Sequence, residues 1–227
     1  MKFFLTVFLI ILSTIVYAQK GFYIKPVIGV GISDIDYGRK YRDAYKPDDV
    51  SGLAYKIMIM TGYQFSRWKL ETGLGYLSVK NGYNNLIFID PYTGAMPTTT
   101  AYADVRYVSS YLIIPVQVAY SAPINKKFDV QPQLGLSLNY NFNTKASGSE
   151  FEMSGKKKLD YETINLKYKT TELVGNAGIM LNYKLTKKMA ISAGPSLIYF
   201  IANTENMAIY KSTLYCVMLD AGITLKM

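Results

Sequence analysis

The chain has 227 residues, a formal charge of +9, 21 tyrosines, one cysteine and no histidine. Without histidine the commonest general base, the Ser-His pair and the commonest metal ligand are unavailable, and one cysteine closes off thiolate clusters and an internal disulfide. No apolar run after the N-terminus approaches the roughly 20 residues of a membrane-spanning helix.

Residues 1–18 read as a separate object. Lys2 gives a short positive start, Phe3 to Val16 an apolar run, and Val16-Tyr17-Ala18 a cleavage site, so a signal peptide cut after Ala18 is expected, leaving 19–227 as the mature barrel domain. Losing Lys2 lowers the formal charge from +9 to +8. Part of the remaining excess sits in short turns (Arg67, Lys126, Lys127, Lys187, Lys188) and not on one basic face, which argues against a nucleic-acid partner.

The first strand is expected over Gly21 to Ser33, with Phe22, Ile24, Pro26, Ile28, Val30 and Ile32 on one face and Tyr23, Lys25, Val27, Gly29, Gly31 and Ser33 on the other. Asp34 to Val50 reads as a polar loop. Alternation resumes from Ser51 to Phe65, turns tightly at Ser66-Arg67, and continues from Trp68 to Lys80. Asn81 to Ala103, rich in Gly, Asn, Pro and Thr, reads as a second long loop. The fourth strand ends at Ser121 and shows Val108, Leu112, Ile114, Val116, Val118 and Tyr120 on its apolar face.

A short turn through Pro123-Ile124-Asn125 leads to the clearest stretch, FDVQPQLGLSLNYNFN over Phe128 to Asn143. Its even positions are all apolar and its odd positions all polar or glycine. That is longer than the usual strand of about 5–6 residues, and two clean faces suit a wall between two solvents. Thr144 to Lys167 reads as a third long polar loop. Thr171 to Leu185 and Met189 to Ala202 are strands joined by the turn Thr186-Lys187-Lys188, Asn203 to Tyr210 is a loop, and the last strand runs to the C-terminus.

Eight strands result, with connections alternating long and short. In an outer-membrane barrel short turns lie on the periplasmic side and long loops outside, so the pattern predicts an all-β, eight-stranded antiparallel transmembrane β-barrel. The competing arrangement is a soluble lipocalin-like barrel with the apolar face inside. Repeated glycines on the polar faces suit a crowded lumen better than an exposed strand, and an eight-stranded interior is too narrow for six or seven large apolar residues per strand. Aromatics also gather near strand ends: Phe22, Tyr63, Phe65, Trp68, Tyr120, Phe128 and Tyr183 at one rim, Tyr55, Tyr76, Tyr140 and Tyr199 toward the other. Pro26, Pro115, Pro132 and Pro195 fall inside strands, where each removes a ladder donor, so bulges or rim positions are expected there.

The run Tyr111-Leu112-Ile113-Ile114-Pro115-Val116, the run Glu71-Thr72-Gly73-Leu74-Gly75-Tyr76 followed by Lys80 and Gly82, and the Ala18-Gln19 junction resemble the PorT-like outer-membrane β-barrel family of Bacteroidota. Ile113 stands where that family often has an acidic residue, and Met227 where the C-terminal signal read by the barrel-assembly machinery usually has an aromatic. The resemblance implies an outer-membrane barrel; its namesake branch supports protein secretion.

No residue reads as catalytic, cofactor-binding or metal-ligating. Gly29-Val30-Gly31 and Gly73-Leu74-Gly75 precede no helix and are not dinucleotide fingerprints. Lys156-Lys157-Lys158 reads as a solvated loop, and Asp34, Asp36, Asp43, Asp48 and Asp49 lack the EF-hand spacing for calcium. The inward polar set (Lys25, Lys56, Lys69, Glu71, Asp129, Lys184, Asp220) reads as a structural network, with a narrow ion path as the alternative; Met58, Met60, Leu77, Ile198 and Phe200 would plug it. Expected partners are outer-membrane lipid, the barrel-assembly machinery during biogenesis and secretion-machine proteins, with the barrel a monomeric, non-enzymatic scaffold. The loops 34–50, 81–103 and 144–167 would contact partners or surface glycans, and a porin-like channel is the further alternative.

Overall fold

The computed structural model describes residues 21–36, 48–86, 102–151, 157–166, 170–201 and 213–227. Among these residues ten strands occur in chain order: β1 (Phe22–Asp36), β2 (Asp48–Phe65), β3 (Trp68–Leu86), β4 (Tyr102–Tyr120), β5 (Ala122–Pro123), β6 (Phe128–Phe151), β7 (Lys157–Leu166), β8 (Thr170–Lys184), β9 (Met189–Phe200) and β10 (Thr213–Lys226). Eight of them are staves. β5 is a two-residue bridge to Asp129 and Val130, and β7 pairs with the far end of β6. The staves pair antiparallel with their neighbours, and the closure joins β1 to β10. The expected eight-stranded antiparallel barrel is what the chain forms.

The stagger of the barrel follows from the pairing. Stepping through partners from Tyr23 gives Gly62, Glu71, Gln117, Gly135, Asn176, Ile198 and Cys216, and returns to β1 at Ser33, ten residues farther on. With about 3.3 Å per residue and about 4.8 Å between strands, that offset tilts the staves by about 40°.

The alternation in sequence becomes inside and outside. Leu134 is 69% exposed, Val30 64% and Leu219 61%, whereas inward Leu77 and Phe200 are 0% exposed. A folded chain that turns this much aliphatic surface outward is stable only against hydrocarbon. Aromatic pairs mark the limits of that band. Trp68 packs edge-on to Tyr120 at 5.0 Å and Phe128 lies 4.9 Å from Tyr183 at the short-turn end; Tyr55, Tyr76 and Phe142 stand in a row at the other.

Turn chemistry closes the short connections. Ser66 takes the left-handed region (φ 59°), as a two-residue hairpin of the primed type requires. The Asn125 carboxamide oxygen accepts from the backbone N–H of Lys127 and Phe128, and the Thr186 hydroxyl accepts from those of Lys188 and Met189.

Three expectations are corrected. First, 144–167 is not one polar loop. β6 continues to Phe151, β4 follows it back to Tyr102, and β7 returns along it from Lys157 to Leu166. Beyond the membrane both strand faces meet water, so the apolar alternation that identifies a stave is lost although backbone pairing goes on. Second, for the same reason the boundaries at 34–50 and 81–103 move: β1 runs to Asp36, β2 starts at Asp48, β3 runs to Leu86 and β4 starts at Tyr102. What remains of those loops, together with Asp43, Lys156 and residues 1–18, lies outside the described residues.

Third, the prolines sit at neither bulges nor rims. Register is unchanged across Pro26, Pro115, Pro132 and Pro195, and the shifts fall elsewhere, at Ser51/Ala54, Tyr83/Leu86 and Ser110/Tyr111 among the staves. Each proline keeps its pairing on one side: Pro26 with Ile59, Pro115 with Ser137, Pro132 with Ile179, Pro195 with Leu219. On the other side the ladder skips the proline; for Pro132 it passes from Gln133, opposite Ala119, to Val130, opposite Ala122 on β5. One missing donor costs a single bond when the opposite neighbour holds the strand in line.

Candidate functional site

The lumen is filled in layers. At the short-turn mouth the Lys184 ammonium lies 3.3 Å from Asp129. Asn182 donates to Asp129 at 2.6 Å and to Gln131 at 3.2 Å, and Lys69 donates to Gln131 at 2.5 Å while lying 5.7 Å from the Tyr23 ring centre. Above it Glu71 accepts from the Tyr23 hydroxyl (2.5 Å), the Lys25 ammonium (2.7 Å) and the Gln117 carboxamide (2.5 Å). Higher still, Lys56 pairs with Asp220 at 2.8 Å and donates to Ser196 at 3.3 Å.

Glycines make this possible at two points. A Cβ on Gly29 would strike the Asp220 carboxylate and the Lys56 chain, and one on Gly62 would stand 2.6 Å from the Tyr23 hydroxyl. Both positions leave the space that the ion pair and the tyrosine occupy.

Between the two upper pairs is a cavity of about 40 Å³ bordered by Lys25, Lys56, Gln117, Gln133, Asn176, Ser196 and Asp220. It has room for a water or two. Asp220 Oδ1 and Asn176 Nδ2 border it without a protein partner.

Farther toward the long loops the lining changes character. Ala54 lies two residues beyond Lys56, Leu77 six beyond Glu71, Val174 two beyond Asn176, Phe200 four beyond Ser196 and Cys216 four beyond Asp220. With Val79, Tyr111 and Leu214 these form an apolar layer, each member 5% exposed or less, and the buried Asn139 is the position of β6 at this level. Tyr111 packs on Phe200 with ring centres 5.4 Å apart. This layer is a stopper across the barrel. Glu172 stands just beyond it, one oxygen held by Thr170 at 3.2 Å and Oε2 without a protein partner.

The inward set read from sequence is therefore inside, and the structure sorts it into three ion pairs with Lys69 on Gln131. Met58, Met60, Leu77, Ile198 and Phe200 are buried in the lumen as expected. Tyr23 and Gln117 as ligands of Glu71, Gln131 as the acceptor for Lys69, and Glu172 were missed. Their inward parity was readable; their partners depend on the stagger, which places Lys25 beside a carboxylate two staves away. The arrangement has the chemistry of a held network: every described lumenal lysine meets a carboxylate or an amide oxygen.

No protein-family model matches the chain, and no curated protein matches it. Among solved structures the chain is similar to Neisserial surface protein A (16% identity, 92% of this chain and 98% of that chain, TM-score 0.45). It is also similar to Ail, the attachment invasion locus protein of Yersinia pestis (19% identity, 90% and 99% covered, TM-score 0.37). A third likeness is to a major outer membrane protein from Thermus thermophilus (11% identity, 90% and 98% covered, TM-score 0.45).

Proposed function

We propose that this chain is a non-enzymatic integral outer-membrane protein whose barrel is a scaffold and whose working surface is its long-loop end. The observation that carries this reading is the pairing of an aliphatic exterior with a lumen sealed by an apolar stopper. A sealed lumen leaves the water-facing ends as the places for specific contact, and one end carries the extended strands of β2, β3, β4, β6 and β7. In this reading 1–18 is removed on export, the barrel-assembly machinery inserts the rest as a monomer, and the long-loop end meets a protein partner or a surface glycan.

A second reading, an accessory subunit of a protein secretion machine, is favoured by the same extended strands as a protein-contact surface and by the PorT-like runs at Glu71 to Tyr76 and Tyr111 to Val116. A porin-like channel is opposed by the stopper. Heat-modifiable gel migration after detergent extraction tests the barrel in its membrane. Crosslinking from the long-loop end, read by mass spectrometry, separates a machine subunit from a free-standing barrel: recovery of one partner in stoichiometric amount supports the former, and none the latter.

A further inference from the structure

We propose that Lys80, Arg106 and Lys145 form a docking site for the phosphate groups of a lipid in the leaflet at the long-loop end. The inference rests on the outer-membrane reading and adds a ligand to it. Lys80 pairs with Val108 on β4, and Val108 pairs with Lys145 on β6. The three residues form one row across three staves, with the two lysine Cα atoms about 10 Å apart. Arg106 is two residues farther along β4, between them.

All three point away from the barrel axis. Lys80 is on the outward parity of β3, four residues past Tyr76, and is exposed; Lys145 is exposed three residues past Phe142. The parity of Lys145 is set by the register shift at Ser110/Tyr111, where Phe142 is the extra residue of β6. Arg106 lies over Gly82, where an added Cβ would stand 2.7 Å from its side chain.

Level and charge select the occupant. Tyr55, Tyr76 and Phe142 stand at the edge of the lipid band, so the next residues outward are at headgroup depth. Neither lysine has an ion pair among the described residues. Arg106 spends its bonds on neutral acceptors: Tyr83 O at 3.0 Å, Val105 O at 3.1 Å and Asn84 Oδ1 at 2.6 Å. Those bonds hold the guanidinium in place, and among the described residues it has no ion pair. Asp104, two residues farther out on β4, is the acidic neighbour on that strand. Across the barrel the same level carries Asp34, which accepts from the Tyr215 hydroxyl at 3.3 Å, and no described cation. Among the described residues the basic row is thus confined to one sector, continuous with the lipid band below it. Phosphate groups fixed at headgroup depth match three cations fixed at that depth.

The test uses the full chain purified in detergent, with bisphosphorylated lipid A and the same lipid stripped of its phosphates as probes, and bound lipid counted by native mass spectrometry. The wild type should retain the phosphorylated form and release the stripped one, with retention falling as salt rises. Each neutralised cation should weaken binding about fivefold, and the triple variant Lys80→Gln/Arg106→Gln/Lys145→Gln about a hundredfold. The double variant Lys80→Gln/Lys145→Gln keeps the bonds of Arg106 and should still lose about twentyfold. Lys184→Gln, at the opposite mouth, should change nothing. Equal retention of both probes, or a folded double variant that binds as the wild type does, overturns the site. A wild type whose gel migration is not heat-modifiable overturns the outer-membrane reading beneath it.

Discussion

The lower and upper halves of the lumen solve the same packing problem with opposite chemistry. Near the short turns the inward positions carry Lys25, Lys69, Glu71, Asp129 and their amide partners; toward the long loops they carry Leu77, Tyr111, Val174 and Phe200. Both halves are buried inside the same ladders. The difference teaches that mechanical filling and electrostatic pairing are separable: the network fixes which staves sit together, while the apolar layer excludes water. A charge pair can rearrange and let ions past, whereas an apolar constriction blocks them by dewetting.

The largest effect should come from removing the centre of the network. Glu71→Ala leaves Lys25 charged and unpaired and strands Tyr23 and Gln117, at a cost of about 3–5 kcal/mol in denaturant unfolding from detergent. Its conductance in planar bilayers should nonetheless stay at background, because the stopper is untouched. Phe200→Ala should cost a similar amount, about 3–5 kcal/mol, through the cavity it leaves under Tyr111. Combined with Leu77→Ala it should produce steady current steps. If Glu71→Ala conducts and the stopper variant does not, the roles of the halves are exchanged.

Next in size is the outer face. Leu136→Arg places a charge toward midplane lipid and should cost about 2–4 kcal/mol, measured by the same unfolding. Strand parity alone, which places Asn139 in the lumen, would make Asn139→Asp milder than this. The structure revises this: Asn139 is 1% exposed, level with the stopper, and paired across the ladder with Glu172. A second carboxyl group buried beside the first must either repel it or hold a proton against its preference in water, so the variant should unfold well below the wild type and not beside it. The smallest effect belongs to Lys184→Ala. Its side chain is 41% exposed, so the pair with Asp129 is screened and contributes no more than about 1 kcal/mol.

Strand number, the two faces of each stave and the lipid-facing side were written in the sequence. Alternation has a period of two, and Phe128 to Asn143 displays it without a break. The inward charged set was legible for the same reason, since parity alone puts Lys56 or Asp220 inside. Where one face no longer meets lipid the alternation fades, and so the continuation of β6 to Phe151 and the return strand β7 were hidden. The harmless placement of the prolines was hidden too, because the sequence does not say which neighbour holds Pro115 or Pro195 in line. Above all, the sequence carries no register. The registers of neighbouring staves bring Lys25 on β1 within reach of Glu71 on β3 and set Lys80, Val108 and Lys145 in one row, and closing the sheet stacks Tyr111 on Phe200 across the lumen. Those partners are distant along the chain and become adjacent only through strand register and closure, which no local stretch of sequence carries.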